Sequence, residues 1–509
     1  MHIIAHAISS PDRPACIDAD SGAALSFRSL DDRANQGARF LRSLGLQRGD
    51  VIATLLCNSF EFFEIAWAAQ RIGLYLTGIS TKLSATDIAY IIRDSGAKVL
   101  IASDELGGPA AAALQMTPGI KAFLTNSASK EFARWRAGCE SQSSELVDDA
   151  NPGTDMLYSS GTTGRPKGVK PPLPAGAVDA PTPLTQMGQA LYGMGAGSIY
   201  LSTSPLYHAA PLRWAMTIQR LGGTVIFTEA FDAQRSLDLI EQYRVSHATF
   251  VPTHFVRMLK LPDHIRLRAD VSSLKAAIHA AAPCPVPIKQ AMIDWWGPIV
   301  HEYYSGTEMC GITALSADEW LRKPGSVGRA VLGAVKITDD SGDELPPGEV
   351  GIVYFADGPV FEYHNDPVKT SAAYDRHGWA TLGDIGHIDN DGYLFLTDRK
   401  HFMIISGGVN IYPQEIENLL ITHPKVADAA VIGAPDEEMG ERVLAIVQPV
   451  DWSDAGGELA EELRKFARDA LGGLKCPRQF DFRQNLPRES TGKLMKQTLR
   501  DEYRARETR

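Results

Sequence analysis

Val51-Ile52-Ala53-Thr54-Leu55-Leu56 is a short, mostly apolar run set between segments of helical pattern. Upstream, residues 30–44 carry Leu30, Ala34, Ala38 and Leu41 at helical spacing, and downstream residues 60–72 read as helix again. A second apolar run follows at Lys98-Val99-Leu100-Ile101-Ala102. Short apolar strands alternating with helices predict parallel β-α-β units, because a strand covered on both faces loses the polar alternation of a half-exposed one. The pattern returns with the run 223–227, a helix over 233–243 and the run 248–251, so two α/β subdomains are expected.

From about Ala330 the texture changes. Val350-Gly351-Ile352-Val353-Tyr354-Phe355 and Gly392-Tyr393-Leu394-Phe395-Leu396-Thr397 read as strands between Asp, Gly and Pro turns, which predicts a β-rich subdomain. Asp389-Asn390-Asp391-Gly392 has the carboxylates of a calcium loop but neither the downstream Glu nor the flanking helices, so a hairpin turn is expected. A last unit begins near residue 399, with helices over 413–420 and 459–471 and strands over 429–433 and 442–447. The second helix places Leu459, Leu463, Phe466 and Ala470 on one face and stops at Gly472-Gly473.

A chain of 509 residues exceeds one ordinary core. Its 44% hydrophobic and 22% charged residues are those of a soluble globular protein. The net charge of −11 argues against nucleic acid, whose backbone asks for excess Lys and Arg. Six cysteines (Cys16, Cys57, Cys139, Cys284, Cys310 and Cys476) form no CxxC pair and stand near no His at zinc spacing. Isolated reduced thiols suit a cytoplasmic protein. Met1-His2-Ile3-Ile4-Ala5-His6 lacks the basic start of a signal peptide, and no run approaches the ~18 apolar residues that span a bilayer. No integral membrane segment is expected.

Tyr158-Ser159-Ser160-Gly161-Thr162-Thr163-Gly164-Arg165-Pro166-Lys167-Gly168-Val169 puts three glycines, four hydroxyls and a lysine in one loop. Glycines let backbone N–H groups approach phosphate oxygens, hydroxyls add donors and lysine adds charge. Gly168 after Lys167 and the glycine spacing exclude a Walker A loop. Further motifs follow in order: Ala280-Ala281-Ala282-Pro283; His301-Glu302-Tyr303-Tyr304-Ser305-Gly306-Thr307-Glu308; Thr381-Leu382-Gly383-Asp384-Ile385-Gly386; Thr397-Asp398-Arg399-Lys400; Ser406-Gly407-Gly408-Val409; and Leu486-Pro487-Arg488-Glu489-Ser490-Thr491-Gly492-Lys493. Read alone, Asp384 is a turn residue, Gly407-Gly408 a tight turn before a helix, and Lys493 a solvated lysine.

In this order the motifs resemble the adenylate-forming superfamily of acyl- and aryl-CoA synthetases, firefly-type luciferases and peptide-synthetase adenylation domains, over nearly the whole chain. The resemblance implies an α/β fold: a large N-terminal domain (1–397) of two α/β subdomains plus a β-rich subdomain, a hinge at 398–400 and a small mobile α+β C-terminal domain (401–509). It implies that Ser159, Ser160, Gly161, Thr162, Thr163, Gly164 and Lys167 hold the phosphates, and that Ala281, Ala282, Pro283 and Tyr304 flank adenine. Thr307 and Glu308 reach the phosphates and Mg²⁺, with Glu308 as the metal ligand, an apt task for an acidic residue beside phosphate oxygens. Asp384 accepts from the ribose hydroxyls, and Arg399 contacts ribose or phosphate. Asp398 is the hinge, Gly407 and Gly408 form the thiol tunnel after rotation, and Lys493 binds the carboxylate and α-phosphate. The family's usual Gly is Ser305 here.

Tyr207, His208, Gly306 and Met309 are expected to line the acyl pocket, with His208 either lining the passage to the reacting carbonyl or capping a turn. Amine-activating relatives place an Asp in this region, and none stands here. The expected function is AMP-forming acyl-CoA synthesis from a hydrophobic (fatty, aryl or polycyclic) carboxylic acid, with ATP, Mg²⁺ and coenzyme A; a homodimer is compatible with it. The competing readings are loading of a carrier-protein thiol, a non-catalytic acyl-adenylate binder, and a luciferase-type monooxygenase.

Two anions meet in adenylation, so charge neutralisation by Lys493, Glu308-bound Mg²⁺ and the 159–167 loop is the main demand. Removing one such preorganised group costs about 3–4 kcal/mol of barrier. No protein nucleophile is needed, in keeping with the absence of a Gly-x-Ser-x-Gly elbow. Lys493→Ala is expected to abolish ATP–pyrophosphate exchange yet still convert supplied acyl-AMP and CoA to thioester, and a bulky residue at Gly408 to do the reverse. Equal loss of both half-reactions in Lys493→Ala overturns that assignment, and normal thioester formation in the Gly408 variant overturns the tunnel role.

Overall fold

The run at 51–56 forms the strand Val51–Leu55, buried along its length, inside a six-stranded sheet. The spatial order is Ala133–Arg134, Lys121–Leu124, Val99–Ala102, Val51–Leu55, Tyr75–Gly78, Thr154–Asp155, and every pairing is parallel. The computed structural model describes residues 2–159, 166–399, 402–436, 438–488 and 494–507. Helices Phe27–Ser43 and Phe60–Arg71 cover one face of this sheet, and Ala85–Ser95 with Gly107–Leu114 the other. Local chemistry sets the helix ends: Ser84 accepts the Asp87 N–H at the start of Ala85–Ser95, and Gly96 closes it at φ 66°.

A second, thirteen-stranded sheet holds the later motifs. Its parallel part runs Pro14–Asp18, Thr224–Phe227, Ile199–Ser202, His247–Phe250, Ala276–His279, Val300–Tyr304. At Val300–Tyr304 the direction changes. Ile312–Leu315, Ser326–Leu332, Leu394–Arg399, Ala380–Ile388, Gly351–Ala356 and Ala334–Thr338 follow, all antiparallel. The β-rich subdomain expected after residue 330 therefore continues the second α/β sheet. Its Asp389–Gly392 segment is the hairpin turn expected, with Asp389 and Asp391 on Lys323 Nζ at 2.7 and 2.5 Å.

The small C-terminal domain is a five-stranded sheet built on the long pair Val426–Asp436 and Gly440–Pro449. Helices Pro413–Leu420 and Gly457–Lys475 cover one face and Lys496–Glu507 the other. Leu459 and Leu463 are buried as the sequence implies, but Ala467 completes the stripe and Ala470 is exposed. Gly472, at φ 77°, breaks the helical geometry where a stop was expected. Gly407-Gly408 forms a tight turn, as expected: it turns the hairpin between Ile404–Ser406 and Val409–Ile411, a strand that stands between it and the helix starting at Pro413. Both glycines have positive φ (56° and 80°), which a two-residue hairpin of this type requires. No helix among the described residues is long and apolar enough to cross a membrane.

Beneath the second sheet's last parallel strands, Lys289 Nζ lies 2.6 Å from Glu302 Oε2, the side chains 0% and 7% exposed. Burial raises the Glu302 carboxyl against the pull of Lys289. Such a pair is conditional: losing one partner leaves an uncompensated buried charge. Lys289→Met or Glu302→Gln alone should cost about 3–5 kcal/mol, whereas Lys289→Met with Glu302→Leu should recover most of it. Thermal unfolding of the three variants checks this, and equal loss in all three would refute it.

Candidate active site

A cavity of about 1030 Å³ opens at the carboxyl ends of the second sheet's parallel strands, where its direction changes. Ligands favour such switch points in open α/β sheets. The second sheet with its helices, the strands on either side of the glycine-rich loop, and the C-terminal domain contribute to its wall.

On one side, Leu157–Ser159 and Lys167–Lys170 pair antiparallel with Lys167 opposite Ser159, so the two limbs of the glycine-rich loop return side by side. Ser160, Gly161, Thr162, Thr163 and Gly164 lie outside the described residues, as do Lys400 and Lys493. Lys167–Lys170 pairs in turn with Glu362–Tyr363. Lys167 Nζ stands 4.4 Å from the centre of the Tyr363 ring, and the Tyr363 O–H donates to Glu308 Oε1 at 2.9 Å. Burial presses the Lys167 ammonium below its ordinary value; Glu308 opposes this, and Lys369 and Arg399 add like charge. Lys167, Lys369 and Arg399 thus gather near Glu308, Lys369 also paired with Asp366 and Arg399 with Asp384, so several N–H donors stand ready for phosphate oxygens.

Beside them, the Tyr304 O–H donates to Asp384 Oδ2 at 2.6 Å, and Arg399 Nε lies 3.2 Å from Asp384 Oδ1. Asp384 and Arg399 face each other across paired strands. Burial works against the charge on Arg399, but Asp384, Tyr304 and Glu308 outweigh it and hold the guanidinium above its ordinary value. The turn after Tyr304 carries Gly306, Thr307, Glu308 and Met309 along the cavity. A Cβ on Gly306 would meet Glu308 Oε2 at 2.5 Å and Leu382 Cδ2 at 2.7 Å, so glycine keeps the Glu308 carboxylate in place. Ser305 closes this turn by donating to the Gly311 carbonyl at 2.7 Å, which gives the departure from the family's glycine a local purpose. Ala281 and Met309 hold φ of 74° and 53°, strain of the kind that gathers at functional sites. Ala281, Ala282 and Pro283 line the same side.

The other side begins at His208, which is the N-cap of the helix Ala209–Arg220 yet makes no side-chain cap bond and lines the cavity. Its side chain therefore faces the cavity and does not cap the helix. Its ring centre lies 4.6 Å from that of Tyr207, and burial pushes its pKa down to about 4, so it is neutral at pH 7.

The C-terminal domain closes the cavity with Phe402, Gln414, Glu417, Arg488 and Lys496. Asp398 joins the two parts: Oδ1 accepts the Arg399 N–H at 2.6 Å, and Oδ2 accepts the Gln414 N–H at 2.9 Å in the first turn of Pro413–Leu420. Arg488 and Leu494, on either side of the Lys493 segment, form an antiparallel bridge and both line the cavity. Gly407 and Gly408 do not line it in this arrangement.

The family profile of the AMP-binding enzyme matches residues 5–362, and that of the AMP-binding enzyme C-terminal domain matches 415–493. The chain belongs to the AMP-binding enzyme family. It is 32% identical over 507 residues to the long-chain-fatty-acid–CoA ligase FadD13 of Mycobacterium tuberculosis, covering 97% of this chain and 96% of that one. It is 31% identical over 514 residues to the fatty acid–[acyl-carrier-protein] ligase ScoC of Streptomyces coeruleorubidus, covering 98% and 95%. Its fold matches ATP-bound MatB of Rhodopseudomonas palustris with a TM-score of 0.83, 27% identity and 99% of each chain covered. It is an AMP-forming acid–thiol ligase of the adenylate-forming superfamily.

Within this AMP-binding enzyme the structure adds residues that the motifs did not announce. Arg213 grips Asp155 with Nε and Nη2 (2.6 Å at the closest) and donates through Nη1 to the Thr307 carbonyl at 3.1 Å. It thereby braces the Glu308 turn against the strand that leads into the phosphate loop. Tyr363 and Lys369 reach the phosphate side from segments with no motif of their own. Pro171 and Pro174, part of the proline-rich stretch, accept from Tyr75 Oη (2.8 Å) and Arg48 Nη2 (3.0 Å), which fastens the loop's outgoing limb to the first subdomain.

Glu417 Oε2 lies 2.8 Å from Lys496 Nζ, and Oε1 accepts the Val431 N–H at 2.7 Å. Burial holds the Glu417 carboxyl up at about 7, against the opposing pull of Lys496. The folded chain thus holds this proton more tightly than the unfolded chain, whose ordinary value is 4.5. The resulting stability is fully present below about 4.5 and is lost as pH rises through about 7. Glu417→Gln should therefore flatten the fall in melting temperature across that window. A variant whose pH profile parallels the parent's would overturn the assignment.

Proposed function

We propose that this chain joins a hydrophobic carboxylic acid to coenzyme A by way of an acyl-adenylate. The observation that carries the reading is the two-sided cavity: Lys167, Lys369 and Arg399 gather on the side of Tyr304 and Asp384, and neutral His208 opens an apolar side. On that apolar side the nearby acid Asp155 is already engaged by Arg213, which disfavours an amine-bearing substrate.

In the first half-reaction a carboxylate oxygen forms a bond to the α-phosphorus of ATP and the bond to pyrophosphate breaks. Lys167 and the loop it closes steady the departing pyrophosphate, Asp384 accepts from the ribose, and Ala281–Pro283 with Tyr304 bracket the base. Among the described residues no group of three metal-ligating side chains occurs, so Mg²⁺ would be held by Glu308 together with the phosphates, its usual mode in nucleotide sites. When bound it neutralises phosphate charge. Lys493 is assigned to the reacting oxygens. In the second half-reaction a thiol attacks the acyl carbonyl and AMP leaves, with the small domain turned about Asp398 so that Gly407 and Gly408 shape the thiol's path.

Carrier-protein loading is the second reading, favoured by the likeness to ScoC. Pyrophosphate release over a panel of fatty, aryl and polycyclic acids, then thioester formation with free CoA or a phosphopantetheinyl carrier protein, separates the two. Release with at least one acid and transfer to CoA are expected, and Glu308→Gln should slow release by about 10²–10³-fold. Transfer only to the carrier would replace the acceptor; no release with any acid would overturn the reading.

A further inference from the structure

Val300–Tyr304 divides the cavity, because consecutive side chains on a strand point to opposite faces. Tyr304 faces Asp384, whereas Tyr303 faces the helix Ala209–Arg220 that starts at His208. Tyr303 shares its face with His301, Ile278 and Thr249 on the neighbouring strands. The end of this acid side is closed by aromatic rings in edge contact. The Trp214 ring lies 5.9 Å from Tyr303 and 5.8 Å from Tyr192, and Tyr192 lies 5.4 Å from His301. Trp214 is 1%, Tyr192 6% and Tyr200 0% exposed, so the wall has packed core behind it and offers no channel for a long chain.

The hydroxyls on this wall differ in how they are engaged. Thr249 Oγ1 and Tyr200 Oη satisfy each other at 2.5 Å. Tyr303 Oη accepts the Trp214 indole N–H at 3.1 Å, and its own proton meets no acceptor among the described residues. Burial raises the Tyr303 pKa, so the phenol stays a donor at neutral pH. The indole contact fixes the direction of that donor. A wholly hydrocarbon acid would bury it unpaired, which is costly, and a site with such a donor discriminates strongly for the partner that satisfies it. Flat rings also suit the edge-and-face geometry of Trp214 and Tyr303 better than a flexible chain does.

Building on the ligase reading above, we propose that the acid is an aryl acid with a hydrogen-bond acceptor at the end remote from its carboxyl, and that Tyr303 is the specificity-determining residue that reads it.

The test compares acids of matched size, para-methoxy- and para-ethylcinnamic acid, with octanoic and hexadecanoic acids beside them, each scored by ATP-dependent pyrophosphate release. The methoxy acid should exceed the ethyl acid in kcat/KM by roughly five- to tenfold, and Tyr303→Phe should bring that ratio close to one. Trp214→Leu should raise octanoic acid relative to the cinnamic acids, a gain that misfolding cannot produce. Hexadecanoic acid as the best substrate, or a methoxy-to-ethyl ratio unchanged in Tyr303→Phe, would overturn this proposal while leaving the ligase intact. No pyrophosphate from any acid would overturn the ligase reading itself, and this one with it.

Discussion

The Asp384 carboxylate, held between the Tyr304 hydroxyl and the Arg399 guanidinium, is the interaction on which the rest of the site depends. The three residues come from three strands: Val300–Tyr304 ends the parallel part of the second sheet, Ala380–Ile388 with Asp384 belongs to the antiparallel part, and Leu394–Arg399 leads into the C-terminal domain. Asp384 is 8% exposed, and a buried carboxylate is tolerable only while its partners stay in place. A slip of any one strand would strand that charge. The nucleotide wall is therefore fixed before any ligand arrives, which is the preorganisation that electrostatic catalysis requires.

The same strand that supplies Tyr304 separates two environments. On one face, burial lowers the Lys167 ammonium, with Lys369 and Arg399 adding like charge and Glu308 opposing them. On the other, His208 is held neutral by burial and the groups around it are aromatic. Arg213 spans the two, since its grip on Asp155 and on the Thr307 carbonyl ties the helix of the acid side to the Glu308 turn of the nucleotide side. Acid and nucleotide can thus be brought together without mixing a site that must hold charge with one that must exclude it.

Much of this was legible in the sequence where the signal is local. The alternation around Val51–Leu55, the hairpin turn at Asp389–Gly392 and the helices Ala233–Tyr243 and Pro413–Leu420 follow from residue spacing and turn chemistry alone. The short strand Tyr75–Gly78 escaped, being four residues that include a threonine and a glycine. The strand Val409–Ile411 escaped as well, because it is three residues long and Pro413 signals a helix immediately after it. The continuity of the thirteen strands depends on pairings such as Ser326–Leu332 with Leu394–Arg399, which no local pattern encodes. Arg213 and Asp155 meet only through the fold, and Tyr363 and Lys369 follow no motif.

Ion pairs tie the C-terminal domain together from within. Arg488 is paired with Asp428 through two nitrogens, and Lys496 with Glu417. Glu417 sits on the helix whose first turn Asp398 holds through the Gln414 N–H. Asp398 and the Glu417–Lys496 pair are thus linked through one helix, Pro413–Leu420. In the proposed two-step reaction the small domain could turn about Asp398 with its own ion pairs intact, so the cost of exchanging one half-reaction for the other would fall on the interface between the domains.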